Sequence, residues 1–149
     1  KIMGYCVANN LNTQSSIMAL KMALKQRKCF NLSLIHHSDR GIQYCANEYQ
    51  EELIKNKVLC SMTQNSDPYE NAVAERINGI LKQEFSIDKY NQGVKITNQI
   101  IKESVAIYNE LRPHYSNFML TPNQMHSQSK TKMRTYKTKN SSKNVFATV

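Results

Sequence analysis

The 149-residue chain is 40% hydrophobic, enough for one modest core, and carries a formal net charge of +9. It has no run of about eighteen apolar residues and no charged-then-apolar leader at its start, so neither a membrane-spanning helix nor a secretory signal is expected, and the expectation is of a cytoplasmic protein. Cys6, Cys29, Cys45 and Cys60 are widely spaced with no C-x-x-C pair, so they read as reduced packing residues rather than zinc ligands.

Residues 1–8 alternate two mostly apolar sets, Ile2, Gly4 and Cys6 against Met3, Tyr5 and Val7, a pattern that predicts a strand covered on both faces. Asn12 or Thr13 then opens a helix running to about Lys28, with Ile17, Leu20 and Leu24 at helical spacing and Lys21, Lys25, Arg27 and Lys28 solvated. A short apolar run over 32–36 ends in His36-His37-Ser38-Asp39-Arg40-Gly41 and places Asp39 just past the C-terminal end of a strand, where open α/β sheets bind their ligands. The two histidines beside Asp39 could be metal ligands, but adjacent side chains on a strand point to opposite faces, and packing or DNA-proximal positions are preferred for them. Residues 46–56 predict a helix through Tyr49, Leu53 and Ile54, and 58–63 a second strand.

The central stretch, 66–84, begins with helix-start signals. Asp67 suits the N-cap, Pro68 the first helical position, and Glu70 a capping-box spacing. At about 100° per residue, Asn71, Glu75, Asn78 and Lys82 share one face while Val73, Ile77, Ile80 and Leu81 take the far side and pack. A further helix spans 94–111 with Ile96, Ile100, Ile101, Val105 and Tyr108 inward, ended by Pro113. A short turn or helix is expected near Met125 after Thr121-Pro122, and 127–143, rich in Ser, Thr, Lys and Asn, is expected to be mobile.

Charge follows the same order. All eleven acids lie between Asp39 and Glu110, and residues 111–149 carry seven Lys or Arg and no acid. Basic flanks around an acidic centre suit a protein that holds a nucleic-acid backbone while metal-binding carboxylates work on it, although basic binding proteins share that balance.

Four motifs appear in register: HHSDRG-x-QY over 36–44, NAVAE-R-x-N-G-x-LK-x-E over 71–84, YNELRPH over 108–114 and TP-x-Q-M-H over 121–126. Together they resemble the catalytic domain of bacterial insertion-sequence transposases of the retroviral-integrase (DDE) type, over residues 1–127, with 128–149 left as a basic flexible tail. The resemblance implies an α/β fold with a ribonuclease H-like integrase core, acting in the bacterial cytoplasm on transposon ends and target DNA as a homo-oligomer. It implies that Asp39 is the second catalytic carboxylate and Glu75 the third, which with a first Asp hold two magnesium ions, or manganese, about 3.5–4 Å apart across the scissile phosphate. Lys82 resembles the basic residue that contacts the DNA end. Asn71 and Arg40 are candidates for phosphate contact, and Arg112 for a helix stop facing DNA.

The family's first Asp lies on an earlier strand, and residues 1–38 contain no acid. The expectation is therefore a C-terminal portion of a transposase catalytic domain, as a fragment or a truncated gene, with its N-terminal strands missing and no helix-turn-helix region ahead of it. Two other functions stay open at the level of sequence: an inactive remnant that only binds DNA, and a structure-specific nuclease on the same fold.

Overall fold

A computed structural model describes residues 1–64, 68–89 and 93–128. In chain order they form α1 (Thr13–Lys25), β1 (Leu34–Ser38), α2 (Ile42–Cys45), α3 (Asn47–Lys55), β2 (Val58–Met62), a 3-10 turn (Pro68–Asn71), α4 (Ala72–Gln83), a second 3-10 turn (Ile87–Lys89), α5 (Val94–Glu110), a third 3-10 turn (Tyr115–Asn117) and α6 (Pro122–His126). The cap expected at Asp67 and nearly all of the basic stretch after 127 lie outside the described residues.

Strands β1 and β2 pair in parallel, with His37 opposite Ser61 and Ile35 opposite Leu59. A parallel pair needs a crossover, and α2 and α3 supply it. The core lies on one side of this pair. Ile17 and Leu20 of α1, three residues apart, meet Tyr49 and Leu53 of α3, four apart, over Val58 of β2, with Leu24, Leu34 and Tyr44 packed around them. Leu53, at 1% exposure, is the most deeply buried of the set, whereas its neighbour Ile54, expected inward, faces solvent.

Helix starts follow local chemistry where it is available. Asn12 caps α1 by accepting the Ser15 N–H at 2.8 Å. At α6, Thr121 and Gln124 form a reciprocal capping box with Pro122 just inside.

Residues 1–8 do not form the expected strand. The sheet contains β1 and β2 alone among the described residues, so this segment has no ladder to join. Side chains take up part of its backbone bonding instead. Asn109 of α5 accepts the Ile2 N–H and donates to the Ile2 carbonyl, both at 2.9 Å, as a neighbouring strand would. Gln26 donates to the Met3 carbonyl at 2.6 Å. Gly4 lies against the α1 backbone so closely that a Cβ would stand 2.1 Å from the Ala19 carbonyl oxygen.

The central helix also begins later than its signals suggest. Pro68 opens a 3-10 turn, and α4 starts at Ala72 with Asn71 in the cap position making no side-chain cap bond. The Glu70 carboxylate reaches back to the Gln64 N–H at 2.7 Å; the capping box expected between Asp67 and Glu70 lies outside the described residues. Of the expected packing face, Ile80 is buried and Ile77 and Leu81 are half-buried, but Val73 is 76% exposed. A cavity of about 560 Å³, lined by Gly4, Leu20, His36, Tyr49, Ile77 and Val105, lies between α1 and α4. The first turn of α4 therefore stands clear of the core.

The cysteines also depart from expectation. All four are free, but only Cys6 is partly buried, while Cys29, Cys45 and Cys60 are exposed. Space in the small core is taken by the larger aliphatic and aromatic side chains.

Candidate active site

Asp39 follows β1 directly, and its position is fixed from both sides. The Ser38 carbonyl accepts the Thr63 N–H at 3.0 Å, extending the strand pairing one step. Asp39 Oδ1 accepts the Gly41 N–H at 3.0 Å, closing a tight turn over the carboxylate. Any Cβ at Gly41 would come within 3.0 Å of that oxygen and 2.7 Å of Gln43 Nε2, so the glycine keeps room for the carboxylate. Arg40 folds back and donates from Nε to the Thr63 carbonyl at 2.8 Å, leaving its terminal guanidinium nitrogens at an exposed surface.

The two histidines separate as strand geometry requires. His36 turns inward, with Nε2 3.0 Å from the Tyr49 hydroxyl and its ring against Tyr44 and Tyr49; burial lowers its pKa. His37 turns outward, with Nδ1 2.9 Å from Ser61 Oγ and Nε2 2.9 Å from the Glu70 carbonyl oxygen. A carbonyl only accepts, so Nε2 carries the proton and Nδ1 accepts from the Ser61 hydroxyl.

Glu75 lies in the exposed first turn of α4, five residues after Glu70, and Lys82 is exposed in the last turn of the same helix. Asn71 is half-buried at the cap position. The segments bearing Asp39 and Glu75 are thus fastened together through the His37 link to Glu70. Sequence patterning misses that link, because its partners are 33 residues apart and neither has a local signal.

Arg112 has a partner inside the chain. Nε donates to Glu84 Oε2 at 2.7 Å and Nη2 to Oε1 at 2.6 Å. The ion pair holds the Glu84 carboxyl below its ordinary pKa and raises that of Arg112. Nη1 also lies 3.3 Å from the ring of His114, which packs edge-on against the buried Tyr108. These contacts give YNELRPH a structural basis: Tyr108 and His114 pack, Asn109 holds residue 2, and Arg112 ties α5 to α4.

Both candidate ligands are exposed carboxylates, donors of the kind magnesium takes, and that ion is commonly held by one or two carboxylates with water and substrate phosphate completing its shell. Among the described residues no three His, Cys, Asp or Glu side chains gather at one place. In donor type the two candidate carboxylates suit a divalent ion.

A family model described as integrase core domain matches residues 56–122. An uncharacterized 31 kDa protein of insertion element IS600 from Shigella sonnei is 35% identical over 116 residues, covering 76% of this chain and 42% of its own. The transposase InsF for insertion sequence IS3fB from Escherichia coli is 30% identical over 133 residues, covering 86% of this chain and 44% of its own. The chain belongs to the integrase-core family of insertion-sequence transposases. It spans less than half the length of either relative.

The fold of this integrase core is that of retroviral integrases. A chain in the simian T-cell lymphotropic virus intasome structure matches with a TM-score of 0.64 at 20% identity, over 91% of this chain and 48% of that one. The HTLV-2 integrase catalytic core domain, solved in complex with magnesium, matches with a TM-score of 0.56 at 20% identity, over 77% and 70%. The ribonuclease H-like α/β class expected from the motifs is the one observed. No helix among the described residues is long and apolar enough to cross a membrane.

Proposed function

We propose that this chain contributes two carboxylates, Asp39 and Glu75, and a basic DNA-binding surface to a transposase that cleaves and joins DNA strands with divalent metal. The observation that carries the reading is the placement of Asp39 at the end of β1 and of Glu75 on a helix whose preceding turn is bound to that same strand. A magnesium ion held there would lower the pKa of an attacking water or 3′-hydroxyl and stabilise the leaving oxygen. Asp39 and Glu75 hold and orient. Lys82, two turns beyond Glu75 on α4, and the outer nitrogens of Arg40 neutralise phosphates on either side, with Asn71 offering a neutral amide. Work on transposon ends and target DNA, assembly as a homo-oligomer on DNA and action in the bacterial cytoplasm belong to the same proposal, as does a boundary near residue 127 between the core and a basic tail.

Titration of Mn²⁺ into the chain mixed with a DNA duplex tests the proposal. Asp39→Asn and Glu75→Gln should each weaken Mn²⁺ binding about tenfold, and binding unchanged by both would reject the site. A second reading, DNA binding without chemistry, is favoured by the +9 charge and the acid-free stretch after Glu110. It predicts the same DNA affinity with and without metal.

A further inference from the structure

We infer that His37 is a positioning residue that sets where Glu75 stands relative to Asp39, an inference resting on the shared-metal reading of those two carboxylates. Residues i and i+2 of a strand share a face, so the face of β1 that leads to Asp39 also carries the His37 ring. That ring spans three segments: its own strand, Ser61 on β2, and Glu70 in the turn before α4. The turn is closed from the other side by Glu70 itself, whose carboxylate accepts the Gln64 N–H just beyond β2. From Ala72 to Glu75 the helix rises by only about 5 Å, so a shift of the turn is passed to the Glu75 carboxylate almost undiminished.

Among the described side chains, apolar packing does little to hold this end of α4. The exposed residues 72–76 include Val73, the buried anchor Ile80 lies two turns away, and a cavity separates the helix from α1. With so little buried surface at the first turn, polar tethers decide its position. The bond from His37 Nε2 to the Glu70 carbonyl oxygen is the tether that runs directly to the strand carrying Asp39.

Two substitutions separate the helix-side bond from the sheet-side bond. His37→Asn places an amide near the former Nδ1, keeping Ser61 within reach and losing Glu70. His37→Gln places an amide N–H near the former Nε2, keeping Glu70 and losing Ser61. The readout is paramagnetic broadening of amide NMR signals in the full 149-residue chain at substoichiometric Mn²⁺. Wild type and His37→Gln should show residues 39–41 and 74–76 broadened together, while His37→Asn should keep the broadening at 39–41 and lose at least four-fifths of it at 74–76. Equal patterns in both variants, or retention in His37→Asn with loss in His37→Gln, would overturn the inference and leave His37 as a sheet residue only. Wild type that broadens at 39–41 alone would overturn the shared-metal reading instead. The clamp itself is then judged without metal, since amide exchange over 70–76 should rise about tenfold in His37→Asn and stay unchanged in His37→Gln, and no rise would reject it.

Discussion

Arg112 and Glu84 form a two-bond ion pair that fastens the end of α5 to the C-terminus of α4. The planar guanidinium matches the carboxylate bidentately, which Lys cannot do. Exposure of the pair limits its worth, so Arg112→Ala and Arg112→Lys should each cost about 1 kcal/mol in denaturant unfolding. The folded pKa of Glu84 lies below its ordinary value of 4.5, so the pair's contribution is full above that value and is lost as pH falls through the folded pKa. The gap in stability between wild type and Arg112→Ala should therefore shrink in the acid range below about 4.5. The same variant tests the expected DNA contact: a salt slope of DNA binding that stays the same assigns Arg112 to the fold, and a fall of about one unit restores it to the interface.

Asn109 should be needed to hold the N-terminal segment. Asn109→Ala leaves the part-buried Ile2 N–H and carbonyl without their partner, at a cost of about 1–3 kcal/mol. Limited proteolysis should then cut within 1–8 well before it cuts α5. Gly4→Ala should have a similar effect by a different route, because its Cβ would collide with the Ala19 carbonyl and lift the segment from α1. Unchanged protease resistance in both variants would mean that the segment is held by other contacts.

DNA affinity should fall steeply with salt. Deleting residues 130–149 should reduce the slope of log affinity against log salt by several units, at about 0.9 for each phosphate the tail neutralises, and Lys82→Ala by about one. Equal slopes for the full and shortened chains would exclude the basic tail from the interface.

The 149-residue chain alone should show no magnesium-dependent strand transfer, because no three acidic, His or Cys side chains gather at one place among its described residues. The assay is conversion of a labelled duplex with magnesium and then manganese. Cleavage abolished by Glu75→Gln would show that a further donor completes the set within this chain.

Local signals read well where structure is set locally. The α1 cap at Asn12, the α6 capping box and the inward spacing of Ile17, Leu20, Tyr49 and Leu53 all follow from neighbouring residues. Alternation over 1–8 reports burial, not pairing, so it does not reveal that an asparagine 107 residues away takes the place of a strand. The start of α4 escapes local signals for a related reason: Pro68 and Glu70 carry start signals, yet the turn is also bound by His37, 33 residues away, and by the Gln64 N–H. The placement of Asp39 after a strand and of Glu75 on a helix is legible in the sequence. The ties between them, and the partner that occupies Arg112, lie across 28 to 33 residues and leave no periodic trace.

The clasp of Ile2 by Asn109 also orders events during synthesis. At about 5–20 residues per second, the ribosome needs roughly 5–20 s to add the 107 residues separating the two, and the clasp cannot close before then. Throughout that interval the Ile2 N–H and carbonyl lack their Asn109 partner, while α1, β1, α3 and β2 already have the partners they need to condense.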